Sequence, residues 1–121
     1  MKKKILVLDD HSTVRMMIRK FLGEELYEFV EAANAEEALE HLANEKIQLI
    51  LCDFHLPGMN GIQFLETRNR NPRYQRIPVV MITSSRSEGL TKQGTARGVS
   101  HWVTKPFKGE DLVEVVGSIL G

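Results

Sequence analysis

Two hydrophobic rhythms alternate along this chain. Short, nearly continuous apolar runs occur at Ile5-Leu6-Val7-Leu8, from Ile47 to Cys52 and from Ile77 to Ile82, with a fourth at His101-Trp102-Val103-Thr104. Runs of this length predict strands covered on both faces, as in a parallel sheet. Tyr27-Glu28-Phe29-Val30-Glu31 alternates apolar with acidic, which predicts a strand with one wetter face. Between these runs the apolar spacing lengthens to that of helices. Val14, Met17, Ile18, Phe21 and Leu22 follow i, i+3, i+4, i+7, i+8, a helical core stripe that Ser12 or Thr13 could cap and Gly23 ends.

Asn34 with Glu37 has the form of a capping box and opens a helix carrying Ala38, Leu39, Leu42 and Ala43. Pro57-Gly58 and Asn60-Gly61 punctuate a loop, and Ile62 and Leu65 start a third helix that must stop before Pro72. Pro78 is compatible with a strand only near its start. Ser87 to Arg97 predicts a weak fourth helix. Gly89 and Gly94 each cost roughly 0.5–1 kcal/mol there relative to Ala, and the apolar stripe is little more than Leu90 and Ala96. Leu112, Val115, Val116, Ile119 and Leu120 predict a strong last helix. Five strand–helix units in succession predict an α/β fold: a doubly wound, five-stranded parallel sheet with helices on both faces, as one domain over residues 1–121.

Composition narrows the function. The 121 residues fit one domain, which buries roughly two-thirds of its unfolded surface. Sixteen basic side chains balance sixteen acidic ones, which argues against broad nucleic-acid binding. Lys2-Lys3-Lys4 is the one basic block and reads as a solvated lead-in to the first strand. A single cysteine, Cys52, excludes an intramolecular disulfide; placed in an apolar run, it reads as a small core residue. No apolar stretch approaches the roughly 18 residues of a membrane span, and the first one is a poor signal peptide, so the cytoplasm is the expected location.

The chemistry lies at the ends of the strands. Asp9 and Asp10, Asp53, Thr83, and Lys105 with Pro106 each close one of the apolar runs. In a parallel sheet these groups share the carboxyl edge, where open α/β sheets bind ligands. Three neighbouring carboxylates repel one another unless a cation joins them. Mg²⁺ suits such oxygen donors, typically with one or two carboxylates and a phosphate oxygen; Mn²⁺ would also fit. Asp53 is then a candidate nucleophile for an aspartyl-phosphate. Mg²⁺, the Lys105 ammonium, and the Thr83 hydroxyl with a backbone N–H could each take one phosphoryl oxygen.

These motifs carry a resemblance. Ile5-Leu-Val-Leu-Asp9-Asp10, Asp53-Phe-His-Leu-Pro57-Gly-Met59-Asn-Gly61, Met81-Ile-Thr83-Ser84 and Trp102-Val-Thr-Lys105-Pro106-Phe107 stand in the order and spacing of the receiver domains of two-component response regulators. The chain resembles that family, and within it the stand-alone chemotaxis (CheY-like) type, over essentially its whole length. The resemblance implies a flavodoxin-like (βα)5 fold with strand order 2-1-3-4-5. It implies that Asp53 accepts a phosphoryl group from a phosphohistidine on a sensor histidine kinase or phosphotransfer protein. Asp10, Asp53 and the backbone carbonyl of His55 would hold Mg²⁺, with Asp9 acting directly or through water. Thr83 and Lys105 would grip the phosphoryl group, and Trp102 would be the aromatic that changes rotamer with Thr83. The partner face would be the fourth helix, fifth strand and fifth helix, on a monomer that could dimerise when activated.

Three features depart from the family pattern. Trp102 is larger than the usual Tyr or Phe, Ser84 stands where alanine is more usual, and His55 and Ser85 occupy the positions that tune phosphate lifetime. Plainer readings stand beside the sharper ones: Trp102 as a core aromatic, His101 as a strand histidine, His41 as a surface helix residue, Met16 and Met17 as packing residues. His11 could point at the acids or at solvent. The competing functions are a pseudo-receiver that binds without phosphorylation, an aspartate-nucleophile phosphatase, and an FMN carrier. A haloacid-dehalogenase-type phosphatase would place D-x-D after the first strand, and an FMN carrier would place a hydroxyl- and Gly-rich loop there. This chain has two adjacent acids instead.

Overall fold

The computed structural model describes residues 1–84 and 86–121; Ser85 lies outside the described residues. The strands are β1 (Lys3–Leu8), β2 (Tyr27–Ala32), β3 (Leu49–Asp53), β4 (Val79–Thr83) and β5 (Val99–Thr104). They form one parallel sheet in the order β2-β1-β3-β4-β5. The helices are α1 (Ser12–Leu22), α2 (Ala35–Asn44), α3 (Gly61–Asn69), a single turn α4 (Pro72–Gln75), α5 (Glu88–Ala96) and α6 (Gly109–Leu120). The five-stranded doubly wound fold expected from the sequence is therefore present, with the extra turn α4 between the third and fourth units.

Strand pleat divides the core in two. Ile5 and Val7 point to one face, where Ile18 and Leu22 of α1 meet Leu112, Val116 and Leu120 of α6. Leu6 and Leu8 point to the other, where they pack with Ala35, Ala38 and Leu42 of α2 and Phe64 and Leu65 of α3. Every residue of β3 and β4 is buried, as their unbroken apolar runs require. Cys52 is fully buried, and burial pushes its thiol pKa well up, so it is an inert core residue.

Several local expectations are corrected. Ser12 and Thr13 both lie inside α1; the N-cap is His11, whose backbone N–H donates to Asp9 Oδ1 at 2.8 Å. Asn34 does accept from the Glu37 N–H at 2.9 Å, but the Glu37 carboxylate reaches the N–H of Ala33. The full capping box belongs to α3: Asn60 accepts from the Gln63 N–H and Gln63 accepts from the Asn60 N–H, each at 2.9 Å. Met17 and Phe21 are about two-fifths exposed, Phe21 at the rim of the α1–α6 seam against Gly109 and edge-on to Phe107. With Val14, Pro106 and Phe107, Met17 lines an apolar groove beside Lys105. Ala43 and Ala96 are exposed, and Gly94 is the one buried residue of α5. His41 is half-buried, bonded to Glu45 Oε2 at 2.8 Å and to the Glu31 carbonyl at 2.9 Å.

Candidate functional site

The sheet register places the site. Leu8 pairs with Cys52, so Asp9 and Asp53, each one residue further on, stand level on neighbouring strands. Asp53 pairs with Ile82, and Thr83 pairs with Thr104. The ladder continues one step beyond β5, where the Lys105 N–H donates to the Thr83 carbonyl at 2.9 Å. Lys105-Pro106 is a cis peptide. The four strand ends named by the sequence thus converge at the carboxyl edge of β1, β3, β4 and β5.

The lysine ammonium is the centre of the cluster. Lys105 Nζ lies 2.9 Å from Asp9 Oδ2 and 3.2 Å from Asp53 Oδ2, and both carboxylates are buried. The His55 N–H donates to Asp53 Oδ1 at 3.2 Å. Asp10 is more open and forms the rim with the exposed His11, whose Nδ1 lies 3.0 Å from Asp10 Oδ1. Thr83 is fully buried at the end of β4. His55 is exposed, with its ring edge-on to Phe54.

One ammonium shared among these acids does not neutralise them. Burial raises the Asp53 pKa; Lys105 opposes that rise, and Asp9 adds to it. For Lys105, burial alone would lower the pKa, but hydrogen bonding and attraction to Asp9 and Asp53 leave it raised. The carboxylates therefore sit at a cost that a further cation would remove. Oxygen donors on Asp9, Asp10 and Asp53 fit a hard divalent ion such as Mg²⁺. The start of α1 adds a favourable dipole beside the acidic pair.

Four residues outside the predicted set carry structural roles, the first two at the acidic pair. Arg15 Nη1 donates to the Asp9 carbonyl and Arg15 Nε pairs with Glu31 at 2.7 Å, which fixes the backbone under the acidic pair. Arg19 pairs with the same Glu31. No sequence spacing signals this bridge, because it links α1 to β2 through the tertiary fold. The third is Gly94. Trp102 does not face the acids: it packs against the α2–α3 side of the core, and its indole lies against α5. A Cβ on Gly94 would stand 2.5 Å from Trp102 Cζ2 and 2.7 Å from Cη2. Gly94, read from sequence as a helix weakener, is the seat that admits the larger aromatic. The indole Nε1 is buried, with no hydrogen-bond partner among the described residues. The fourth is Arg68, fully buried under α4, where Nη1 donates to the carbonyls of Tyr74 at 2.6 Å and Ile77 at 2.9 Å. Of the remaining candidates, His101 is exposed on edge strand β5, and Ser85 falls outside the described residues.

Comparison with known proteins agrees with this geometry. Residues 5–117 match the family model described as the response regulator receiver domain. The chain is 34% identical over 120 residues to the chemotaxis protein CheY1 of Helicobacter pylori, covering 98% of this chain and 97% of that protein. It is 35% identical over 118 residues to the phosphate regulon transcriptional regulatory protein PhoB of Pseudomonas aeruginosa, covering 98% of this chain and 52% of that one. The chain thus spans about half the length of the PhoB relatives it matches. Among solved structures, the chemotaxis response regulator CheY4 of Vibrio cholerae superposes with a TM-score of 0.91 at 29% identity, covering 99% of this chain and all of that one.

Proposed function

The chain belongs to the response regulator receiver domain family, a signalling module of two-component systems and not a conventional enzyme, and from that premise we propose that it is a phosphorylation-controlled switch using Asp53 as acceptor. The observation that carries this reading is the shared Lys105 ammonium, which links the buried Asp9 and Asp53 carboxylates beside a third acid. In the proposed step an Asp53 carboxylate oxygen attacks the phosphorus of a phosphohistidine on a sensor histidine kinase or phosphotransfer protein. The P–N bond breaks, its electron pair stays on the imidazole nitrogen, and that nitrogen takes up a proton. The product is an aspartyl-phosphate.

Asp10, Asp53 and the His55 carbonyl, with Asp9 directly or through water, are the residues assigned to hold Mg²⁺ or Mn²⁺. When bound, the ion supplies charge neutralisation at a phosphoryl oxygen. Lys105 moves its hydrogen bond from Asp53 Oδ2 to the incoming phosphoryl group, and Thr83 takes another oxygen. These exchanges bias the loop that follows Thr83 and, through it, α5. The thin anchoring of α5 supports a segment with two arrangements: its one buried residue is Gly94. Output is assigned to docking of the α5–β5–α6 face, which carries Trp102, on a partner protein. Similarity to CheY1 and CheY4 supports a chemotaxis role. No helix among the described residues is long and apolar enough to cross a membrane; the assigned location is the cytoplasm.

The test is intact mass after incubation with Mg²⁺ and acetyl phosphate, beside Asp53→Asn. Gain of one phosphoryl group by the parent alone is the expected result. No gain from either acetyl phosphate or a phosphorylated kinase, in folded protein, would favour a binding module that does not use phosphorylation.

A further inference from the structure

The amino edge of the sheet, opposite the acid–lysine cluster, carries charge that the proposed switch leaves unused. Arg70, Arg73 and Arg76 follow one another at i, i+3, i+6 through the end of α3 and the turn α4, and all three are exposed. Arg76 stands just before β4, and the exposed Lys46 just before β3. Lys46 and Arg73 line one cleft of about 260 Å³ between the α2–β3 loop and α4. Among the described residues none of these four cations pairs with a carboxylate, whereas Lys4, Arg15, Arg19, Lys92, Arg97 and Lys105 all do. The acid that lines the cleft, Glu45, is already engaged by Lys4 at 3.1 Å and His41 at 2.8 Å. On a chain of zero formal net charge, the four cations are a local excess.

The cleft is built as well as charged. Its walls are the buried Leu42 and Ile47 and the half-buried Tyr74 and Ile77. Arg68, fully buried, holds two of these wall residues: its Nη1 donates to the carbonyls of Tyr74 at 2.6 Å and Ile77 at 2.9 Å. Its Nε and Nη2 have no partner among the described residues. A guanidinium buried without an acid is expensive, and here it fixes one wall. At the start of the turn, Gln75 Nε2 donates to the Asn69 carbonyl at 2.6 Å, and the Arg73 N–H donates to Asn71 Oδ1 at 3.0 Å. Arg73 and Tyr74 thus stand on a turn pinned at both ends, which leaves little backbone ordering for binding to supply.

Apolar walls rimmed by arginine, lysine and tyrosine fit one apolar side chain flanked by carboxylates. Arg and Tyr often carry binding energy at protein interfaces, and a guanidinium takes a carboxylate through two parallel hydrogen bonds. Nucleic acid fits less well, because the apolar walls offer nothing to a phosphate backbone and the chain as a whole is not basic. We propose that the cleft between the α2–β3 loop and α4 docks an acidic peptide segment of a partner protein. One apolar side chain enters the cleft, carboxylates meet Lys46 and Arg73, and Arg70 and Arg76 steer the approach. None of these residues belongs to the cluster around Asp53, so the proposal is independent of the phosphoryl-transfer reading.

The experiment is fluorescence anisotropy at physiological salt with a fluorescein-labelled synthetic peptide in which a single Phe is flanked by Asp and Glu. The proteins are the parent, Arg73→Glu, Lys46→Glu and Lys20→Glu, each checked for fold by circular dichroism. Lys20 is an exposed cation on α1, which packs on the opposite face of the sheet. Arg73→Glu and Lys46→Glu should each weaken binding at least about tenfold, and Lys20→Glu should stay within about twofold of the parent. Exchanging the peptide's Phe for Ser should weaken binding to the parent about tenfold. No binding by the parent, an equal loss in Lys20→Glu and Arg73→Glu, or a Ser peptide that binds like the Phe peptide would each overturn the proposal. A labelled single-stranded oligonucleotide that binds as tightly as the peptide, and is lost in Arg73→Glu, would overturn it in favour of a general polyanion site.

Discussion

Gly89 and Gly94 lie five residues apart in the same short helix, yet alanine should act in opposite directions at the two sites. A Cβ at Gly89 would meet nothing within 4 Å, and neither glycine has a positive φ. Gly89→Ala therefore trades backbone freedom in the unfolded chain for no contact in the folded one, and should stabilise by roughly 0.5–1 kcal/mol. At Gly94 the same gain meets an indole. The new Cβ would stand 2.5 and 2.7 Å from two ring carbons of Trp102 and 3.1 Å from Val99 Cγ2, where carbon pairs prefer about 3.5–4.0 Å. Overpacking of this kind costs about 1–3 kcal/mol. Subtracting the helix gain leaves a net loss of about 1 kcal/mol if the ring stays. If the ring yields, it leaves its seat and enters water. Urea denaturation followed by circular dichroism gives the stability of each variant. Emission from Trp102, the only tryptophan, separates the two routes, because an expelled indole emits further to the red. The reasoning fails if Gly94→Ala is as stable as Gly89→Ala and its emission matches the parent's.

Three further outcomes follow from the site. Lys105→Ala should still take up phosphate on Asp53 but transmit it poorly; a partner affinity that rises on phosphorylation as much as in the parent would refute this. Asp10→Asn should weaken Mg²⁺ binding, read as a shifted midpoint when Trp102 fluorescence is titrated with the ion. Burial holds the Asp53 pKa above its usual 3.8, so between those two values the folded protein binds more protons than the unfolded chain. This group's contribution to stability therefore improves as pH falls through the raised pKa and is complete below 3.8. Without metal, Asp53→Asn should then be more stable than the parent at neutral pH. The gap between their urea midpoints should narrow as the medium is acidified, and a gap that stays constant with pH would contradict the cause assigned.

The sheet and the acid–lysine cluster were legible in the sequence for one physical reason. A parallel strand covered on both faces must be apolar throughout, so a charged residue or threonine closing such a run marks both the strand end and the edge it shares with its neighbours. Asp9, Asp53, Thr83 and Lys105 each close such a run. Periodicity fails where the fold decides coverage. The α1 stripe is real, but only Ile18 and Leu22 of it are buried, and nothing in the spacing says that Met17 and Phe21 stay about two-fifths exposed. Asn60-Gly61 signals a turn, and the reciprocal Gln63 bond that makes it a helix start depends on a side-chain rotamer. Gly94 has a second role that the sequence hides for a deeper reason. In sequence it is only a weak helix former, because its use appears when α5 is laid across β5 and a large aromatic needs the space. A glycine in a thin helix, eight residues before an aromatic on the following strand, is a signal that could have been noticed. Its meaning depends on the distance between two elements, and a linear chain does not carry that distance. His11 shows the same limit at the site itself: the sequence put an imidazole beside two acids, and only the N-terminal geometry of α1 turned its ring toward them.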